Sequence, residues 1–165
     1  MSAQHTRMSA EHSPMSAQHY GRLLLMAVLS FLSMFVLMYA MVNALENVYL
    51  NVNQFYMAGL MTAPMVIIEI ALMGTMYRHA KLNITIVAAS LIALIVFWLL
   101  IRQQAAVSDK QFLRSMIPHH GGAILMCHEA SISDPEIKAL CESIKSSQQS
   151  EIEQMKRKLK DLKAR

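Results

Sequence analysis

The chain predicts an all-α fold: three transmembrane helices followed by a soluble helical hairpin. Three observations carry this. The apolar runs Leu23–Val42, Phe55–Tyr77 and Asn83–Ile101 are each long enough to cross the hydrocarbon core of a bilayer. The chain is 55% hydrophobic with a mean hydropathy of +0.34, above the range of an ordinary soluble domain. From about Gln103 the pattern changes to apolar residues three and four apart among charges, the period of amphipathic helices. The 165 residues therefore divide into a Met/His tract (1–22), a three-span membrane domain (23–102) and a hairpin domain (103–165).

The opening tract repeats with period seven, as MSAQHTR, MSAEHSP and MSAQHYG, which keeps Met1, Met8 and Met15 in step with His5, His12 and His19. So short a polar tract cannot bury a core and is expected to be disordered when free. It is either a leader without a role or a flexible collector of soft metal ions. The first apolar run has twenty uncharged residues, longer than a signal-peptide core, and is expected to remain as a span. The second is interrupted only by Glu69, and the third ends at the interfacial residues Trp98 and Arg102. Arg7 and Arg22 precede the first span and Arg78 and Lys81 lie in the second loop, whereas Asn43 to Gln54 holds neither Lys nor Arg. That bias places the N-terminus in the cytoplasm and the first loop and hairpin outside. The expectation is an integral protein of a bacterial-type inner membrane, with the lipid bilayer as its first partner and a periplasmic C-terminal domain.

In the hairpin, Ser108 to Gln111 (SDKQ) predicts a capping box at the start of one helix, and Ser131 to Ser133 a short turn. Asp134-Pro135-Glu136 supplies an N-cap, a proline at the first helical position and an acidic first turn. The second helix is expected from Pro135 to about Leu162, with Ile137, Cys141, Ile144, Gln148, Ile152, Met155, Leu159 and Leu162 along its seam. Two such helices cannot bury both apolar faces alone. A homodimer forming a four-helix bundle, or docking on the spans, is expected. Much of the formal charge of +4 lies in Lys156 to Arg165, where it complements a helix dipole. No nucleic-acid motif is present and no nucleic-acid partner is expected.

The chemistry concentrates in Phe112 to His128 (FLRSMIPHHGGAILMCH), which holds Met116, His119, His120, Met126, Cys127 and His128. Any one of these fits a buried bundle helix, but together they are the thioether, imidazole and thiol ligands of a soft or borderline metal. On a helix, Met116, His119, Ala123 and Met126 form one stripe, and Met116, His120, Ala123 and Cys127 an overlapping one. Gly121, Gly122 and Ala123 leave room beside the imidazoles for another helix or an ion, and Pro118 is expected to kink or restart the helix. Antiparallel packing would bring Cys127 beside Cys141, the histidine pair to the level of Ile144 to Gln148, and Met116 nearer Glu151 to Met155. The set suits copper, with Cu(I) favoured; zinc and other divalent metals prefer more histidine and carboxylate. The two cysteines either close one disulfide, remain thiols or ligate metal. HExxH, GxGxxG, Walker and Glu-x-x-His patterns are absent from the sequence, so no catalytic residue and no enzyme activity are expected.

A second candidate lies in the membrane. Met57, Met61, Met65, Glu69, Met73 and Tyr77 recur at intervals of four, as do Met26, Ser30, Met34 and Met38 with Met41 beyond, whereas the third span has no methionine. Methionine as adaptable packing explains this; so does a metal pathway, with Glu69 as its mid-span ionisable group. The architecture resembles the Ctr-type copper transporters.

FLRSMIPHHGGAILMC, followed by DPEIKALCESIKSSQQSEIEQMKRKL, resembles the family catalogued as domain of unknown function 305 (DUF305), over about residues 108–162. Its M-x-x-H-H with a downstream Met and a later SQ-x-x-E-I-x-x-M carry the likeness. The resemblance implies a ferritin-like fold, of which this hairpin is half a four-helix bundle, and CopM-like copper binding through Met116, His119, His120, Met126 and Met155. Cys127, Cys141 and Glu151 join the candidate set by helical position. The expected function is a membrane-anchored envelope protein that binds copper for homeostasis or resistance. The alternatives are a copper transporter using the second span, and a metal-free oligomerisation module.

Overall fold

A chain in hydrocarbon must satisfy its backbone hydrogen bonds internally, and each apolar run does so as a helix. The structure, a computed structural model, describes residues 14–164. These form α1 (Pro14–Leu37), α2 (Val52–Leu72), α3 (Ala80–Arg102), α4 (Asp109–Glu129) and α5 (Pro135–Ala164), with no strand among the described residues. Two 3-10 turns, Met38–Met41 and Leu45–Asn47, shape the loop between α1 and α2. Three of the helices are long and apolar enough to cross a membrane: Gln18–Met41, which includes the first turn, then α2 and α3.

Part of the opening tract departs from expectation. Its residues through 13 lie outside the described ones, but 14–22 belong to α1 rather than to a disordered leader. The helix starts on Pro14, a residue preorganised for a first turn. Tyr20 then anchors it: its hydroxyl donates to Asn83 Oδ1 at 2.7 Å, and its ring lies 5.3 Å from that of Tyr77.

The second span also ends earlier than its apolar run. Helix α2 stops at Leu72, and the chain turns through Gly74 to Met76. Tyr77 consequently folds back, and its hydroxyl donates to Glu69 Oε1 at 3.3 Å, which gives that mid-chain carboxyl a partner. Small residues let α2 and α3 approach closely. A Cβ on Gly59 would lie 2.4 Å from the Phe97 ring.

Helix α3 turns into the hairpin through Gln104 (φ 49°) and Ala106 (φ 57°), both left-handed and therefore costly for residues with a Cβ. Local bonds hold the turn: Gln104 Nε2 donates to Ile101 O at 2.7 Å, and the Tyr56 hydroxyl to Ala105 O at 2.9 Å. Ser108 occupies the N-cap of α4 but makes no side-chain capping bond, so the expected capping box is not formed. Pro118 lies within an unbroken α4 and does not restart it. At α5 the expected cap is present, with Asp134 Oδ1 accepting from the backbone N–H of Glu136 at 2.8 Å and of Ile137 at 3.0 Å.

The two hairpin helices pack on Ile117, Ile152 and Leu159, each almost fully buried, and burial of such a side chain contributes about 1.5–3 kcal/mol. Tyr49 from the first loop packs on the same cluster. The Lys156 ammonium meets Glu46 Oε1 at 3.2 Å. The hairpin thus docks on the first loop, which covers part of the apolar face the helix pair cannot cover alone.

Candidate metal centre

Gly121 and Gly122 bring the first loop against α4. A Cβ on Gly121 would lie 2.6 Å from Asn43 Oδ1, and one on Gly122 3.4 Å from Met41 O. The space beside the imidazoles is therefore taken by this loop, not by another helix. The contact carries the end of α1 to the hairpin. Beside it lies a cavity of about 640 Å³. Met38 and Met41 line it from the turn after α1, Met57 from α2, and Met116, His119 and Met126 from α4.

A further part of the wall is made of amides and a hydroxyl: Asn51, Asn53, Gln54, Gln104 and Ser115. Asn53 Nδ2 donates to Gln104 Oε1 at 2.9 Å and lies 3.3 Å from Ser115 Oγ. Asn51 Oδ1 accepts from Gln54 N at 3.0 Å. Asn53 Oδ1 is buried without a partner among the described residues, an acceptor left over in an otherwise satisfied wall. No Asp, Glu, Lys or Arg is among the lining residues. Five thioethers and one imidazole with no carboxylate suit a soft, singly charged ion. A hard divalent cation requires oxygen ligands and compensating charge that this lining does not supply.

The histidine pair divides because successive helical residues point about 100° apart. His119 is exposed at the cavity; His120 is buried and turned to α5. His120 Nδ1 lies 2.9 Å from Met116 O, a carbonyl that can only accept. Its Nε2 lies 2.7 Å from Glu151 Oε2, one turn beyond the Ile144 to Gln148 level expected from sequence. The Ser147 hydroxyl, and after it His120, hold the Glu151 carboxyl below the ordinary value of 4.5. Met155, expected near Met116, packs on the Ile117, Ile152 and Leu159 cluster. Cys127 and Cys141 are adjacent as expected, and both are free thiols. Among the described residues no three His, Cys, Asp or Glu side chains gather where they share an ion, so the ligands expected on one layer occupy three places.

The membrane stripe separates as well. A spacing of four drifts by about 40° per step around a helix, so it cannot keep to one face over its full length. Met57 lines the cavity, Met61 is exposed, and Met65 lines a groove along α1 with Met26 and Met34. Glu69 is engaged with Tyr77, and Met73 lies past the helix end. The amide wall was not read from sequence, although Asn51, Asn53 and Gln54 at the head of an apolar run are a signal in the right place.

Comparison with known proteins bears on the hairpin and beyond it. The family model described as domain of unknown function (DUF305) matches residues 99–159. An uncharacterized protein of Acanthamoeba polyphaga mimivirus, L153, is 37% identical over 136 residues, covering 81% of this chain and 88% of that protein. The chain belongs to the DUF305 family. No solved structure matches it. The DUF305 match begins inside α3 and contains all of α4, hence Met116, His119 and Met126, but neither Met38, Met41 nor Met57. The likeness to the viral relative is too long to be confined to the hairpin and extends into the membrane region.

Proposed function

We propose that this protein is a membrane-anchored copper-binding protein. It holds Cu(I) where its hairpin meets one end of its membrane helices, in the service of copper homeostasis or resistance. The observation that supports this most is the uncharged cavity lined by Met38, Met41, Met57, Met116, Met126 and His119. Hairpin and membrane domain each supply part of the set, so the ligands assemble only when the two are docked. Binding of this kind needs no catalytic group. The Lys/Arg bias of the flanks supports reading the cavity on the outer face. Exposed Ile137 and Leu140 on α5 leave apolar surface over which a second hairpin would pack to form a dimer.

Cu(I) titration of the full-length protein in detergent, against a competing chelator and with both cysteines replaced by serine throughout, tests this reading. Met116→Leu/His119→Ala is expected to weaken binding about tenfold or more, on the order of 1.4 kcal/mol. Affinity equal to wild type would sink the proposal.

A second reading, passage of the ion through the membrane, draws on the groove along α1. Met26, Met34 and Met65 line it with Ser30 and Ser33, from Arg22 to Leu37, where Met38 of the cavity follows. Met34→Leu/Met65→Leu would lower copper flux into vesicles on this reading, and unchanged flux would leave binding alone.

A further inference from the structure

Near the turn of the hairpin, Cys127 of α4 faces Cys141 of α5. The helix register places them together. His120 opposite Glu151 fixes the antiparallel alignment, and two turns further along α4 Cys127 is level with the turn of α5 from Cys141 to Ile144. The cluster of Ile117 and Ile124 against Ile152 confirms the same alignment. The Cys127 thiol donates to the Cys141 sulfur, and that bond, with burial second, pushes the Cys127 thiol up. Both cysteines are only partly buried, and Met126 and His128 beside them are exposed, so the pair is open to a small ion. Lys145 lies near Cys127 and is held by Glu142 Oε1 at 2.7 Å.

We propose that Cys127 and Cys141 form a second metal site, a two-coordinate thiolate clamp for a soft monovalent cation of the Cu(I) class, bridging the two helices of the hairpin. Binding converts two thiols into two sulfur–metal bonds and releases two protons to solvent, with no change of oxidation state. The product is a complex of net charge −1, and the Lys145 cation lies where it offsets that charge. Such a site needs two sulfurs rather than a cluster of three ligands, and thiolates hold a soft ion more strongly than thioethers do. It is independent of the junction cavity: no residue is common to the two, and they lie on neighbouring faces of α4, Met126 on one and Cys127 on the other.

The test uses full-length protein, reduced and kept anaerobic in detergent, titrated with Cu(I) against a chromophoric chelator. Wild type is expected to take up two ions, one of them with a thiolate-to-copper absorption band in the ultraviolet and release of two protons. Cys127→Ser/Cys141→Ser is expected to take up one ion, without the band or that proton release. Cys127→Ala/Cys141→Ala, checked for helix content, should do the same. Met57→Leu/Met116→Leu should lose the other ion and keep the band, so failure of the junction site and failure of the clamp read out separately. An unchanged stoichiometry and band in both cysteine variants would overturn the proposal. So would a Cys127–Cys141 disulfide in protein alkylated directly from membranes without reductant.

Discussion

The junction between loop and hairpin depends on Gly121, and Gly121→Ala should loosen it. An added Cβ would lie 2.6 Å from Asn43 Oδ1, so the two must separate by roughly 0.8 Å to reach ordinary contact. Asn43 is not free to move, because its Oδ1 accepts from Asn47 Nδ2 at 2.8 Å. Asn47 is 2% exposed, and its own Oδ1 already lacks a partner among the described residues. Breaking that bond leaves a buried amide unpaired, at a cost of about 1–3 kcal/mol. Alanine returns about 1 kcal/mol of helix propensity. The net expectation is a loss of about 1 kcal/mol. At Gly122 the added Cβ would lie 3.4 Å from Met41 O, an ordinary contact, so Gly122→Ala should gain about 1 kcal/mol. The neighbouring variants should therefore differ by about 2 kcal/mol in chemical unfolding of the full-length protein in one detergent. Hydrogen exchange over residues 42–47 should quicken only in Gly121→Ala. Equal stability of the two, or a more stable Gly121→Ala, would refute the reasoning.

Gly59→Ala should open the α2–α3 contact, since its Cβ would lie 2.4 Å from the Phe97 ring; the expected loss is about 1–2 kcal/mol in the same unfolding assay, partly recovered by Phe97→Leu. An unshifted unfolding midpoint would mean the ring turns aside at no cost. Glu151 gives a pH prediction whose sign follows from its lowered carboxyl. A depressed carboxyl contributes stability that is full above its ordinary value of 4.5 and is lost as pH falls through the lowered one. Acidification through that range should therefore destabilise wild type more than Glu151→Gln, and parallel pH profiles of the unfolding midpoint would count against the His120–Glu151 contact.

Elements set by local pattern were legible in the sequence. The three apolar runs, the period of the hairpin, the Asp134 cap and the closeness of Cys127 to Cys141 all follow from spacing within one or two adjacent segments. The junction was not legible, because Met38, Met41 and Met57 meet Met116 and His119 only through a loop whose fold has no period. Gly121 and Gly122 signalled a close approach without saying what approaches, and it is backbone from a distant segment. The histidine pair shows the same limit in reverse. Adjacent in sequence, the two are divided by the helix itself, one to the cavity and one to Glu151. The four-residue methionine series does not keep to one face, since its drift takes Met73 away from the face that Met57 shares with the hairpin.

The central claim is that membrane helices and hairpin hold one ion together. Leucine keeps the volume and apolar character of methionine and removes only the sulfur, so a membrane-helix methionine tests that claim directly. The measurement is the Cu(I) affinity of the junction site, read with Cys127→Ser/Cys141→Ser in every protein compared, for full-length Met57→Leu beside Met73→Leu, a methionine of the same series that does not line the cavity. Met57→Leu is predicted to bind about tenfold more weakly than wild type, and Met73→Leu as wild type. Wild-type affinity in Met57→Leu, or an equal loss in both, would contradict it.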